Sequence, residues 1–247
     1  MTDLDVIKIG GSLIFGKEDE IKLDTTDNIF KSLGSHPKEK IVVTGCGESF
    51  HDLVLKYNLT DTPKTYNPEE REKGAIEVGR VLQNKISEIE EIAKPYMRVS
   101  SFVPSNLFEK ESHGRKDIHE IVKFKRDFLD ETRNLGITPL ISGGIAPDRV
   151  LGHSAMSSDT IAAYLGLAYD ADRILLLTDV DGVYKSKKLL KKVRATNYAN
   201  FENGMGDKLR RIRFATANRK VYIANGNNVE NLDKILSEDK GIFTKVL

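Results

Sequence analysis

Short apolar runs alternate with longer stretches of helical spacing along the whole chain. Val6, Ile7 and Ile9 read as a buried strand that stops on Gly10, Gly11 and Ser12. Residues 40–44 form a second strand, running into Gly45 and Gly47, and a third lies near residues 98–103. Residues 137–142 meet Gly143 and Gly144, and residues 174–178 are the most hydrophobic run, as expected at the centre of a sheet. Two further strands are expected at 221–224 and 242–246. Between the strands the spacing predicts helices over 21–33 (ended by Gly34 and Pro37), 50–57, 74–92, 118–135 and 207–218, with a short one after Gly226. Ser157, Ser158 and Asp159 cap another, running to Ala168. Residues 60–72 read as a surface loop and 145–156 as a hairpin-like flap. Such alternation predicts an α/β fold: a three-layer αβα sandwich with a mostly parallel central sheet. The 247 residues are expected to form one domain, with an N-terminal lobe over about 1–170 and a C-terminal lobe over about 171–247.

Composition narrows the partners. Thirty-eight Lys and Arg against 37 Asp and Glu leave a net charge of +1. That balance gives no global drive toward nucleic acid or membrane, so any anion binding must be local. The single Cys46 excludes an internal disulfide and fits a reducing compartment. The acidic first residues show no signal peptide, and no apolar run approaches the roughly 20 residues of a membrane span. The expectation is a soluble cytoplasmic protein.

Candidate chemistry gathers at the strand ends, where open α/β sheets bind ligands. Gly10-Gly11-Ser12 after a strand reads as an anion cradle with Lys8 beside it, and Lys17 is placed to close over it. Gly45-Cys46-Gly47, Gly143-Gly144 and Gly182 repeat the signal, and close backbone approach to a ligand is the expected reason. Gly45-Cys46-Gly47-Glu48-Ser49-Phe50 lacks the third glycine of a dinucleotide fingerprint, and no P-loop motif occurs. Asp179 and Asp181 start like a calcium loop without its remaining ligands, and no metal-binding residues are expected. His113 and His119, six residues apart, read as surface residues.

Several motifs resemble the amino acid kinase family, and within it the isopentenyl phosphate kinases. Lys8-Ile9-Gly10-Gly11-Ser12 with Lys17 is similar to that branch's opening K-I-G-G-S and second lysine. Val43-Thr44-Gly45-Cys46-Gly47-Glu48-Ser49-Phe50-His51 lies over V-H-G-G-G-S-F-G-H. Thr178-Asp179-Val180-Asp181-Gly182-Val183-Tyr184 matches T-D-V-D-G-V-Y residue for residue. Ser157-Ser158-Asp159, Gly204-Met205-Gly206-Asp207-Lys208 and residues 221–227 are similar to S-G-D, G-M-x-x-K and V-Y-L-I-N-G-N. The resemblance implies direct phosphoryl transfer from ATP, with Mg2+, to a small-molecule phosphate acceptor, by default isopentenyl phosphate. It implies Lys8, His51, Asp159 and Lys208 as catalytic residues. ATP would be held by Gly10, Gly11, Ser12, Thr178, Asp179, Asp181, Gly182, Tyr184, Gly206 and Lys208. The acceptor would be held by Lys17, Gly45, Cys46, Gly47, His51 and Gly143. A homodimer is also implied. Cys46 and Glu48 depart from the glycine-rich motif, and Ser142-Gly143-Gly144 stands where the branch has Y-G-D. These changes on the acceptor side leave open a kinase for another small phosphate or phosphonate, as in fosfomycin kinases, or a non-catalytic nucleotide binder.

Overall fold

The computed structural model describes residues 2–63, 65–113, 117–201, 203–217 and 219–247. Its main sheet has eight strands: β1 (Thr2–Ile9), β2 (Glu39–Thr44), β3 (Val99–Phe102), β6 (Thr138–Ser142), β9 (Ala171–Thr178), β12 (Lys192–Val193), β13 (Lys220–Asn225) and β14 (Thr244–Val246). Their order is β12-β14-β13-β9-β1-β2-β6-β3, parallel except where β14 runs against β13. The apolar strand β9 sits near the middle, between β13 and β1. The expected division at residue 170 falls just before β9, within this one continuous sheet.

Alternation along the strands builds two cores. Leu4, Val6, Ile41, Val43, Ile174, Leu176, Val221 and Ile223 face one side. They pack there with helices α6 (Arg126–Asn134), α7 (Ser158–Ala168) and α8 (Asn203–Ile212). Ile7, Ile9, Val42, Leu175, Leu177 and Ala224 face the other side. That face is covered by α1 (Gly11–Ile14), α2 (Leu23–Ser35), α3 (Glu48–Lys56), α4 (Pro68–Ala93) and α9 (Val229–Glu238). The outcome is the expected sandwich, helices over both faces of a largely parallel sheet. Among the described residues no helix is long and apolar enough to cross a membrane.

Four sequence expectations are corrected. Residues 118–135 are not one helix: a 3-10 turn (Ile118–Glu120) leads into a strand before α6 begins at Arg126. That strand, β5 (Ile121–Phe124), pairs with β4 (Phe108–Lys110), and the Phe108 and Phe124 rings stack 5.2 Å apart. β-Branched Ile121 and Val122 suit a strand once a partner is present. β4 follows the short helix α5 (Pro104–Leu107) and joins the expected flap, β7 (Gly144–Asp148) with β8 (Gly152–Met156), in a four-stranded sheet β5-β4-β7-β8. Second, Gly34 does not end α2, which continues to Ser35; a Cβ there would meet the Tyr96 carbonyl oxygen at 2.5 Å. Third, α4 starts within the expected loop, at Pro68, its first turn capped by Asn67, whose side chain accepts from the Glu70 N–H at 3.3 Å. Lys64 of that loop lies outside the described residues. Gly204, Met205 and Gly206 lie inside α8 rather than before it; a 3-10 turn (Arg213–Ala215) follows, and Asn218 falls outside the described residues.

Candidate active site

Lys8 belongs to the Leu4–Val6 side of β1 by alternation, so its ammonium points toward α7. Ser157 caps α7, its hydroxyl accepting from the Asp159 N–H at 3.2 Å, and the Asp159 carboxylate thereby stands on the first turn above Lys8. Lys8 Nζ lies 3.2 Å from Asp159 Oδ1. Lys208, on α8, reaches both Asp159 oxygens at 3.1 Å. Residues distant in the chain thus meet as a lysine–carboxylate–lysine bridge. Burial lowers the Lys8 pKa to about 8; Asp159 opposes this and the Lys208 cation adds to it. Burial alone would raise the Asp159 carboxyl, but Lys208 and Lys8 outweigh it and hold the group well below the usual carboxylate range. One anion therefore keeps two cations close in a buried place. A net positive charge remains for a ligand to neutralise.

The bridge forms part of the wall of a cavity of about 1030 Å³ at the carboxyl ends of β1, β2 and β9. Of the residues expected to bind nucleotide, Gly11, Ser12, Thr178, Asp179 and Lys208 line it. Of those expected for the acceptor, Lys17, Gly45, Cys46, Gly47 and His51 do. The structure does not bring the rest to the wall. The Gly10 N–H donates to the Leu177 carbonyl at 2.9 Å, and the Gly143 N–H to Thr44 at 2.8 Å. Asp181 accepts from Asn225 at 3.0 Å and from the Tyr184 hydroxyl at 3.2 Å. Tyr184 itself is in an exposed hairpin of β10 (Tyr184–Lys185) and β11 (Lys188–Leu189). Gly182 packs on Thr244, and Gly206 on the Phe201 and Tyr198 carbonyls.

The repeated glycines also have another cause than the one expected. A Cβ on Gly45 would lie 2.4 Å from the Gly11 backbone nitrogen. The two loops cross backbone against backbone, so the close approach is between loops. The Cys46 sulfur lies against Gly143, where a Cβ would meet it at 2.8 Å; burial pushes its thiol up to about 12, which makes it a packing residue and no nucleophile.

Sequence reasoning missed a second ion pair. The loop bearing Lys17 turns through Glu18 and Asp19, both left-handed (φ 58° and 59°). It lays the Asp19 carboxylate on the N-terminus of α3, where it accepts from the Glu48 N–H at 2.8 Å and the Ser49 N–H at 2.9 Å. Lys85 of α4 pairs with the same carboxylate and donates to the Ser49 hydroxyl at 2.9 Å. Burial would raise the Asp19 carboxyl, but the donors from Lys85, Ser49 and Glu48 overcome it and lower it to about 2. Gly47, at φ +83°, has no room for a Cβ beside that carboxylate (2.6 Å). The clasp joins the Lys17 loop to the helix that carries His51. One signal for Lys85 was in the sequence, since Val78, Leu82, Lys85 and Ile89 fall on one helical stripe. Glu48 lines the cavity and is exposed. His51 is exposed too, its ring edge-on to Phe50 at 5.6 Å. His113 is half-exposed beside Glu111, and among the described residues no group of three or more His, Cys, Asp or Glu is placed to hold a metal ion.

Known proteins are similar to this chain. The isopentenyl phosphate kinase of Methanocaldococcus jannaschii is 28% identical over 94% of this chain and 95% of its own length. The [5-(aminomethyl)furan-3-yl]methyl phosphate kinase of the same organism is 26% identical, over 99% and 98%. Among solved structures, one described as isopentenyl phosphate kinase superposes with a TM-score of 0.84 at 21% identity, covering 99% of this chain and all of the other. The sequence profile of the Amino acid kinase family matches residues 4–225, and this chain belongs to that family of ATP-dependent phosphotransferases.

Proposed function

We propose that the chain transfers the γ-phosphoryl group of ATP to the phosphate of a small phosphomonoester, with isopentenyl phosphate the acceptor suggested by the resemblance and by the relatives' names. The observation that carries this reading is the Lys8–Asp159–Lys208 bridge in a cavity that also holds Lys17 and His51. An acceptor phosphate oxygen bonds to the γ-phosphorus as that phosphorus parts from the β–γ bridging oxygen, and ADP leaves with the electron pair. Catalysis of such a step rests on position and charge neutralisation. Lys8 would bridge the transferred group and the acceptor, Lys208 would neutralise the nucleotide's β- and γ-phosphates, and Asp159 would hold both in register. Gly11 and Ser12 offer backbone donors, and Thr178 and Asp179 border the nucleoside end. Lys17 and His51 would grip the acceptor phosphate, His51 as a hydrogen-bond donor. Gly10, Gly143, Asp181, Gly182 and Gly206 then serve by holding the loops and helices that carry these groups. The walls suit a polyphosphate, since Lys22 and Arg211 add to Lys8, Lys17 and Lys208. Magnesium would arrive on the nucleotide's phosphates, where it supplies further charge neutralisation. A cytoplasmic homodimer completes the proposal.

The test is coupled ADP release with isopentenyl phosphate. Lys8→Ala is expected to lower kcat by about 10²–10³, and His51→Ala to raise KM for the acceptor more than KM for ATP. Turnover that survives both changes refutes the reading, and ATP binding with no transfer to any acceptor selects a non-catalytic role. A second reading keeps the chemistry and changes the acceptor to one with a polar tail, as the name of the aminomethylfuran relative describes. Asp61, which borders the cavity with its side chain paired to Lys110, favours it.

A further inference from the structure

Helix α8 brings more to the cavity than Lys208. Gly204, Met205, Lys208 and Arg211 line the wall together, a stripe along one helix face that rises about 10 Å. Lys208 and Arg211 stand one turn apart on it, and each meets α7. Lys208 reaches the Asp159 carboxylate, and Arg211 Nη1 lies 3.5 Å from the hydroxyl of the next residue, Thr160. The guanidinium is therefore set beside the lysine–carboxylate–lysine bridge, and its side chain is only 16% exposed.

Asp207 holds it there. Nε and Nη2 of Arg211 both lie 2.9 Å from Asp207 Oδ2, so one edge of the planar fork is fixed by a carboxylate on the same helix. Thr160, at 3.5 Å, takes only a weak bond from Nη1. The pair with Asp207 uses two of the five N–H groups, and the other end of the fork has that weak contact alone among the described residues. An arginine fixed on one edge and open on the other suits bidentate binding of a phosphate.

Position decides which phosphate. Besides the main cavity, Arg211 borders a small side cleft with Asp61, Glu120, Met156 and Ser157. Lys110 pairs with both carboxylates of that cleft, while the ion pair of Arg211 is with Asp207. The Ala155 N–H, next to Met156, donates to the Leu59 carbonyl at 2.7 Å. This part of the wall is thereby tied to the chain leaving α3, the helix of His51. The nucleoside end of the kinase reading, at Thr178 and Asp179, belongs to another strand end.

We propose that Arg211 is a further substrate-binding residue, and that its guanidinium takes the acceptor's phosphate from the layer opposite Lys17 and His51. This inference rests on the kinase reading above and deepens it. The acceptor phosphate is then held from both layers of the sandwich, while Lys8 and Lys208 hold the group it attacks. A phosphomonoester has three non-bridging oxygens; with two on the fork, rotation is fixed and the third is directed at the γ-phosphorus.

The experiment follows coupled ADP release with whichever of isopentenyl, pentyl and aminopentyl phosphate the wild type turns over best. In Arg211→Gln, KM for that acceptor is expected to rise about tenfold to a hundredfold, the loss of hydrogen bonds to a charged group, with KM for ATP unchanged. Arg211→Lys, which keeps the charge but not the fork, should recover only part of this. Arg210→Gln is the control. Arg210 binds the same Asp207 at 2.7 Å but is not part of the described wall, so its loss should leave KM for the acceptor at the wild-type value. An acceptor KM unchanged in Arg211→Gln overturns the proposal, and so does a rise confined to ATP. Equal rises in the Arg210 and Arg211 variants overturn it as well, because they trace the effect to the packing of α8. Where Arg211→Gln folds poorly, Arg211→Lys carries the test through the same split between the two KM values. Absence of ADP release from the wild type with every acceptor defeats the kinase reading itself; turnover without the split defeats only the assignment of Arg211.

Discussion

Asp159 is the most informative single carboxylate to neutralise. In Asp159→Asn the shape is kept and the anion between the two lysines is lost. Lys8 Nζ lies 3.2 Å from Oδ1; at an effective dielectric constant near 20 the attraction lost is about 5 kcal/mol. That is up to roughly four pKa units on the lysine that titrates first. Lys8, already lowered to about 8 by burial with Lys208 adding to it, is that group, and it loses in Asp159 the neighbour that opposed the shift. Only the protonated amine neutralises phosphate, so wild-type kcat/KM for ATP should decline as pH rises through about 8. In Asp159→Asn the same decline should come at lower pH, by up to roughly four units. The assay is initial-rate ADP release at subsaturating ATP, from mildly acid to alkaline pH, with fold integrity followed by circular dichroism. Coincident alkaline limbs for the two proteins would refute the coupling of Lys8 to Asp159.

Two further outcomes are expected. Asp19→Asn loosens the clasp between the Lys17 loop and α3, so KM for the acceptor should rise about tenfold, the loss of one hydrogen bond to a charged group, with KM for ATP unchanged. Because the folded carboxyl is held at about 2 against an ordinary 3.8, the wild type also gains about 2 kcal/mol from it above pH 4. That gain fades as pH falls toward 2; the variant should lack it in urea unfolding followed across acid pH. Gly45→Ala drives a Cβ into the Gly11 backbone at 2.4 Å; forced separation of the loops should cost about 1–3 kcal/mol of stability in denaturant titrations and most of the turnover.

Alternation made the sheet and much of the site legible. Once β1 is a strand, Lys8 must share a side with Leu4 and Val6, and a capped helix starting at Ser157 puts Asp159 where that side ends. The break inside residues 118–135 was not legible, because Ile118, Ile121 and Val122 fit helical spacing as well as strand pairing. Only β4, arriving from residues 108–110, decides between them. Asp19 sits in Lys17-Glu18-Asp19-Glu20, which reads as a solvated charged run; its burial depends on two left-handed residues and on a lysine 66 positions away. The glycines were visible and their purpose was not, since the crossing of the Gly11 and Gly45 loops exists only in three dimensions. Lys110 and Asp61 gave no signal at all, being ordinary charged residues until the small sheet folds over them.

A single eight-stranded sheet runs unbroken beneath both ends of the cavity, with β1 and β9 hydrogen-bonded side by side between them. Such a floor bends little, so the two substrates are not swept together by halves folding about a waist. On the proposed function their final approach falls to the Lys17 turn at the margin, and turnover should respond most steeply to the stiffness of that short segment.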